Sequence, residues 1–143
     1  MYNTAIEGPR IMCLLALFFR VVEDSPVVVG ANREELYARP GEPPRIIDGP
    51  IRFVAGIDPV AGGTWLGVNE RGVLVAVTNR PRTEVPHNPR SRGLLVRDLL
   101  ACSSAAQAAE VASKALSQSN FAVRPAVMAS PMLDSIPVRV PTR

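Results

Sequence analysis

Short apolar runs rich in β-branched residues fill the first half of the chain, and two helix-forming stretches follow them. That order constrains the fold more than any other feature. Residues Ile11 to Val22 read as a strand buried on both faces, because both of its sides are apolar. Val27 to Ala31 reads as a second strand, and Glu23-Asp24-Ser25-Pro26 between them is a turn cluster, so a hairpin is expected. Ile51 to Ile57, Thr64 to Val68 and Gly72 to Thr78 read as three more strands. The last two join through Asn69-Glu70-Arg71-Gly72, where the glycine supplies a positive φ. Ser91 to Ala101 and Ser104 to Ser117 read as helices. Leu94, Leu95 and Leu99 give the first an apolar face, and Ala105, Ala108, Ala109, Ala112 and Leu116 give the second its stripe, with Ser103 or Ser104 as cap. Strands that precede helices without alternating with them predict an α+β layer. Its sheet is mostly antiparallel, with helices on one face.

Residues 38–50 carry Pro40, Pro43, Pro44 and Pro50 and read as an irregular loop. Residues 80–90 read as a second loop, with His87, the single histidine, more readily exposed than a ligand. Residues 121–143 hold four prolines and no helical period, and are expected to be poorly structured. With 143 residues there is room for one domain. We expect an extension over 1–11, a domain over 12–120 and a tail over 121–143.

A net charge of +3 without a basic stripe argues against nucleic acid as a partner. The longest apolar run, Ile11 to Phe19, is nine residues, too short to span a bilayer. No small-x-small cleavage site follows it, so a cytoplasmic protein is expected. Cys13 and Cys102 make no disulfide framework, and one histidine with two distant cysteines gives no metal-ligand spacing. No glycine-rich phosphate loop joins a strand to a helix, and we expect neither metal nor cofactor.

Two readings of Cys13 stand side by side. It is a small buried hydrophobe, as most such cysteines are, or it is a nucleophile. If translation starts at Met12 and that methionine is removed, Cys13 carries a free α-amine. An amine and a thiol titrate within about one pH unit of each other, so the amine can take the thiol proton. Asn79 closes a turn through its own backbone or offers a fixed amide N–H to a developing oxyanion. Arg33 and Glu34 neighbour Cys13 if the first two strands pair. Glu34 then holds an α-ammonium and Arg33 pairs with that carboxylate or with substrate, or else both form a solvated cluster with Glu35. Gly62 and Gly63 read as turn residues, and Trp65 and Cys102 as structural.

Met12-Cys13, Ala31-Asn32-Arg33-Glu34-Glu35, Gly62-Gly63-Thr64-Trp65-Leu66-Gly67, Ala76-Val77-Thr78-Asn79 and Ser91-Arg92-Gly93 occur in one order along the chain. In that order they resemble the Asn-Arg-Asp-Glu family, also called the transport and Golgi organisation protein 2 family, over roughly Met12 to Gln118. Glu34 stands where the family has Asp. The resemblance implies the αββα sandwich of N-terminal-nucleophile hydrolases, of which this chain would form the N-terminal half. Gly67-Val68-Asn69-Glu70-Arg71-Gly72 with Ala76 to Asn79 is also similar to the conjugated-bile-acid and penicillin V acylases. By that likeness Cys13, Glu34 and Asn79 are catalytic, with Asn32, Arg33 and Arg80 binding a small-molecule amide or acyl substrate. The resemblance also implies an alternative, a non-catalytic binding or trafficking protein concerned with haem or lipid, or an inactive truncated member. A half-sandwich exposes apolar sheet surface, so self-association is expected.

Overall fold

The hairpin expected at the start of the chain forms, with its turn at the Glu23-Asp24 cluster. In the computed structural model, which describes residues 13–33, 35, 37–78, 90–118 and 128–129, β1 (Leu15–Val22) pairs antiparallel with β2 (Ser25–Ala31). Asp24 takes a positive φ of 60°, a conformation that its short side chain tolerates. The expectation that the first strand is buried on both faces is not met. No residue of β1 is fully buried, and Phe18 and Val21 are 48% and 70% exposed. The cause is topological: β1 and β2 form a two-stranded sheet by themselves, so among the described residues the apolar sequence meets no covering layer.

The other strands form one antiparallel sheet in the order β3-β4-β5-β6-β7. It comprises β3 (Glu42–Ile47), β4 (Phe53–Ile57), β5 (Leu66–Asn69), β6 (Leu74–Ala76) and β7 (Met128–Ala129). β3 corrects the reading of residues 38–50 as an irregular loop. It lies at the edge of the sheet, where a proline forfeits no ladder bond, and its register with β4 shifts between Glu42 and Arg45, where Pro43 and Pro44 sit. β7 is a second correction, because it falls inside the expected unstructured tail. Its two residues lie midway between Pro125 and Pro131 and supply backbone partners to β6. The remainder of 121–143, and the 1–11 extension, lie outside the described residues.

Between β6 and β7 run α1 (Arg92–Leu99) and α2 (Ala105–Gln118). Ser104 Oγ accepts from the Gln107 amide at 3.1 Å, so Ser104 caps α2. The buried stripe of α2 runs through Ala105, Ala108 and Ala112, with Val111 and Ala115 packed beside it. Ala109 and Leu116, expected in that stripe, are exposed.

Register explains the core. Phe53 pairs with Asn69 and Ala55 with Gly67, which in turn pairs with Val75. These positions share one face of the sheet by the two-residue strand period. Phe53, Ala55, Val73 and Val75 pack there against Leu95, Val96, Leu99, Leu100, Cys102, Ala108 and Ala112. Both helices therefore cover one face, as expected. Gly67 is needed for that approach, since a Cβ there would lie 2.6 Å from Leu100 Cδ1 and 3.0 Å from Val54 O.

Asn69 joins the two layers. It is fully buried. Its Nδ2 donates to Leu100 O at 2.9 Å and Cys102 O at 2.8 Å, at the end of α1, and its Oδ1 accepts from the Arg71 and Val73 amides at 3.0 and 2.9 Å. A residue read only as part of a turn thus anchors the helical layer to the sheet. Gly72 completes that turn with φ 84°.

Candidate functional site

The ladder between β1 and β2 pairs Leu15 with Ala31. Cys13, just before β1, and Asn32-Arg33, just after β2, therefore emerge at the same end of the hairpin. Asn32 ties the two together. Its amide donates to Leu14 O at 3.1 Å, and its side-chain Oδ1 accepts from the Leu14 amide. Leu14, the residue after Cys13, is held at both its amide and its carbonyl by one residue.

Opposite this end stands the Gly62-Gly63-Thr64-Trp65 loop. Gly62 has φ 69°. A Cβ on Gly63 would lie 2.3 Å from Gly93 C, and Thr64 N donates to Gly93 O at 3.0 Å. Two blocks about thirty residues apart are thus locked backbone to backbone, and glycine is required at the contact. Trp65, read as core, is only half-buried and lines the cleft. Its ring lies where a Cβ on Gly41 or Gly56 would come within 2.8 or 2.9 Å of it. The Arg33 guanidinium stacks over that ring, 4.7 Å from its centroid.

Between these parts lies a cavity of about 80 Å³. Cys13, half-buried, lines it together with Asn32, Arg33, Thr64, Trp65, Thr78 and the Ser91-Arg92-Gly93 opening of α1. Of the residues expected in the site, the structure brings Cys13, Asn32 and Arg33 to one cleft. Glu34, Asn79 and Arg80, and likewise His87, lie outside the described residues. Thr78, which directly precedes Asn79, is in the lining.

One wall of the cleft is charged. Arg33 Nη2 and Arg39 Nη1 each lie 3.5 Å from Glu35 Oε2, and Arg39 Nη2 lies 2.6 Å from Asp58 Oδ2. Arg33 Nη1 also donates to Arg39 O at 3.1 Å. Asp58 Oδ1 accepts from the Val60 and Ala61 amides at 3.0 and 3.3 Å. Burial of Asp58 pushes its carboxyl up, but the Arg39 hydrogen bond, the two amides and the Arg39 charge together outweigh that. The carboxyl is held below its ordinary value. Sequence reasoning missed Arg39 and Asp58, which stood in an expected loop and beyond a strand end. The only local signal was Asp58-Pro59, an acid placed to cap a turn. Among the described residues no group of three or more His, Cys, Asp or Glu is placed to hold a metal ion, and no helix is long and apolar enough to cross a membrane.

A sequence model of the Transport and Golgi organisation 2 family matches residues 12–125. The chain belongs to that family. Curated relatives named Transport and Golgi organization protein 2 homolog are 36% identical in Bos taurus and 35% in Homo sapiens, each over 77 residues. A relative in Mus musculus is 36% identical over 77 residues. In each case the match covers 52% of this chain and 28% of the relative. The chain thus aligns with under a third of each family protein's length. In this member of the Transport and Golgi organisation 2 family, the blocks spread from Cys13 to Gly93 all reach the one cleft.

Proposed function

We propose that this family member is an N-terminal-nucleophile amidohydrolase acting on a small amide or acyl compound, with Cys13 as its first residue in the working form. One observation carries the reading: Cys13, Asn32-Arg33, Thr64-Trp65, Thr78 and Ser91-Gly93, dispersed in sequence, line one cavity. Residues that serve only packing have no reason to converge on open space.

In this reading the α-amine of Cys13 takes the Sγ proton and the thiolate attacks the substrate carbonyl carbon. The Asn79 amide donates to the oxyanion, and Glu34 holds the ammonium. As the carbon–nitrogen bond breaks, the ammonium gives its proton to the departing amine, leaving an acyl thioester on Cys13. Water, deprotonated by the same amine, attacks the thioester carbonyl, and the acid departs as the thiol reforms. Asn32, Arg33 and Arg80 bind substrate, Asn32 also fixing the peptide after Cys13. The surrounding fold is the N-terminal half of an αββα sandwich, acting in the cytoplasm. The apolar faces of β1 and β2 favour self-association.

Expression from Met1 and from Met12 tests the requirement for a free amine. Alkylation of Cys13 faster than an ordinary thiol, in the product that begins at Cys13 alone, supports the reading. Equal, ordinary rates in both products overturn it.

A further inference from the structure

Arg39 and Asp58 have no part in the steps above, yet Asp58 is the most buried charged residue among the described residues. Asp58 is 6% exposed overall, its carboxylate accepts from two backbone amides and from Arg39 Nη2, and it is the fixed point of the charged wall. From Arg39 two links run toward Cys13. Its Nη1 reaches Glu35, and its carbonyl accepts from Arg33. Arg39 Nε, by contrast, is buried without a hydrogen-bond partner among the described residues. A partly buried ion pair is a weak source of stability, because desolvation offsets the attraction, and an unsatisfied buried N–H makes it weaker still. The arrangement makes sense as a means of fixing geometry.

We propose that Asp58 and Arg39 are positioning residues for the cleft. Asp58 anchors the Arg39 guanidinium, and Arg39 in turn holds the Glu35 carboxylate in the wall that faces Cys13. This rests on the reading of Cys13 as the reacting group of the cleft. It adds Glu35 as the acid of that wall, set in place by a pair 19 residues apart. Lysine cannot replace Arg39, since a point charge does not bridge two carboxylates as the planar fork does.

Two thiol reagents of equal size, iodoacetamide (neutral) and iodoacetate (anionic), read the charge beside Cys13 in the full chain. The readout is the ratio of iodoacetate to iodoacetamide rates at the Cys13 peptide, followed by mass. Removing the Asp58 charge by itself raises that ratio. Release of the Glu35 carboxylate from its guanidinium lowers it. Asp58→Asn is expected to lower the ratio about three-fold, because the Glu35 carboxylate keeps its Arg33 contact but loses the fixed Arg39 guanidinium. Arg39→Lys, with no change of net charge, is expected to do the same. In a Glu35→Gln background Arg39→Lys leaves the ratio unchanged and Asp58→Asn only raises it through its own lost charge, because the group they act through is gone. A ratio that rises in Asp58→Asn, stays put in Arg39→Lys, or falls equally with Glu35→Gln present overturns the proposal. Should Asp58→Asn lose its native circular dichroism, the Arg39→Lys arms decide. An ordinary alkylation rate at Cys13 in the product that begins there ends the hydrolase reading but leaves the ratio measurable, so the two failures are distinguishable.

Discussion

Replacing Asn69 by alanine removes a side chain that bonds the sheet to the helical layer. Four hydrogen bonds are lost, to Leu100 O, Cys102 O and the amides of Arg71 and Val73. A net intramolecular hydrogen bond contributes about 1 kcal/mol, and a buried group left without a partner costs more. The Val73 amide is buried, as is Asn69 itself. The expected loss is therefore about 4 kcal/mol, a large share of the roughly 5–15 kcal/mol that holds a domain together. For a domain of this size it corresponds to a fall in Tm of about 15 °C. Thermal unfolding followed by circular dichroism, with urea titration for the free energy, measures it. Asn69→Asp provides a sign check. A carboxylate facing the Leu100 and Cys102 carbonyls has its folded pKa raised above the unfolded value. Its neutral form is the stable one, so this variant gains stability as pH falls toward the unfolded value near 4, below which the gain is complete. A Tm for Asn69→Ala within about 3 °C of wild type would refute the reasoning, because no repacking supplies four partners at once.

Gly63→Ala places a Cβ 2.3 Å from Gly93 C; a loss of about 3 kcal/mol is expected, read by urea unfolding, as backbone cannot yield as a side-chain tip does. Asp58 has its folded pKa lowered, so its contribution is full above the unfolded value near 4 and is lost as pH falls through the folded value. The urea midpoint should therefore drop between pH 5 and acid, and drop less in Asp58→Asn, by comparison of the two proteins across about pH 2–7. Phe18→Ser together with Val21→Ser, at positions 48% and 70% exposed, should change stability by less than about 1 kcal/mol and shift sedimentation toward monomer.

What the sequence revealed depended on whether the deciding interaction was local. The turn at Asn69–Gly72 was legible because a hairpin needs a positive φ and Gly72 supplies it. The helices were legible because alanine-rich spacing selects them. β3 was hidden because proline argues against a strand unless its edge position is known, and an edge is a property of the whole sheet. Burial of β1 was misjudged for a related reason. Apolar residues on both sides show what a strand could bury, not whether a layer covers it. In the site, Cys13, Asn32 and Arg33 were legible as motif residues. The Arg39–Asp58 pair was not, since its partners stand 19 positions apart and no local pattern records which arginine meets which acid. Trp65 looked like core because nothing local distinguishes a tryptophan packed on glycines from one lining a cleft.

Acylation of Cys13 tests the central claim most directly. The chain expressed from Met12 is mixed with p-nitrophenyl acetate, and p-nitrophenolate release is followed together with the intact mass. The account predicts one acetyl group per chain, located at Cys13, that forms quickly and then hydrolyses. It predicts no acetyl group in Cys13→Ala and a much slower reaction when residues 1–12 are retained. Release of p-nitrophenolate at the same rate in Cys13→Ala, or an acetyl group found only on other residues, would contradict it.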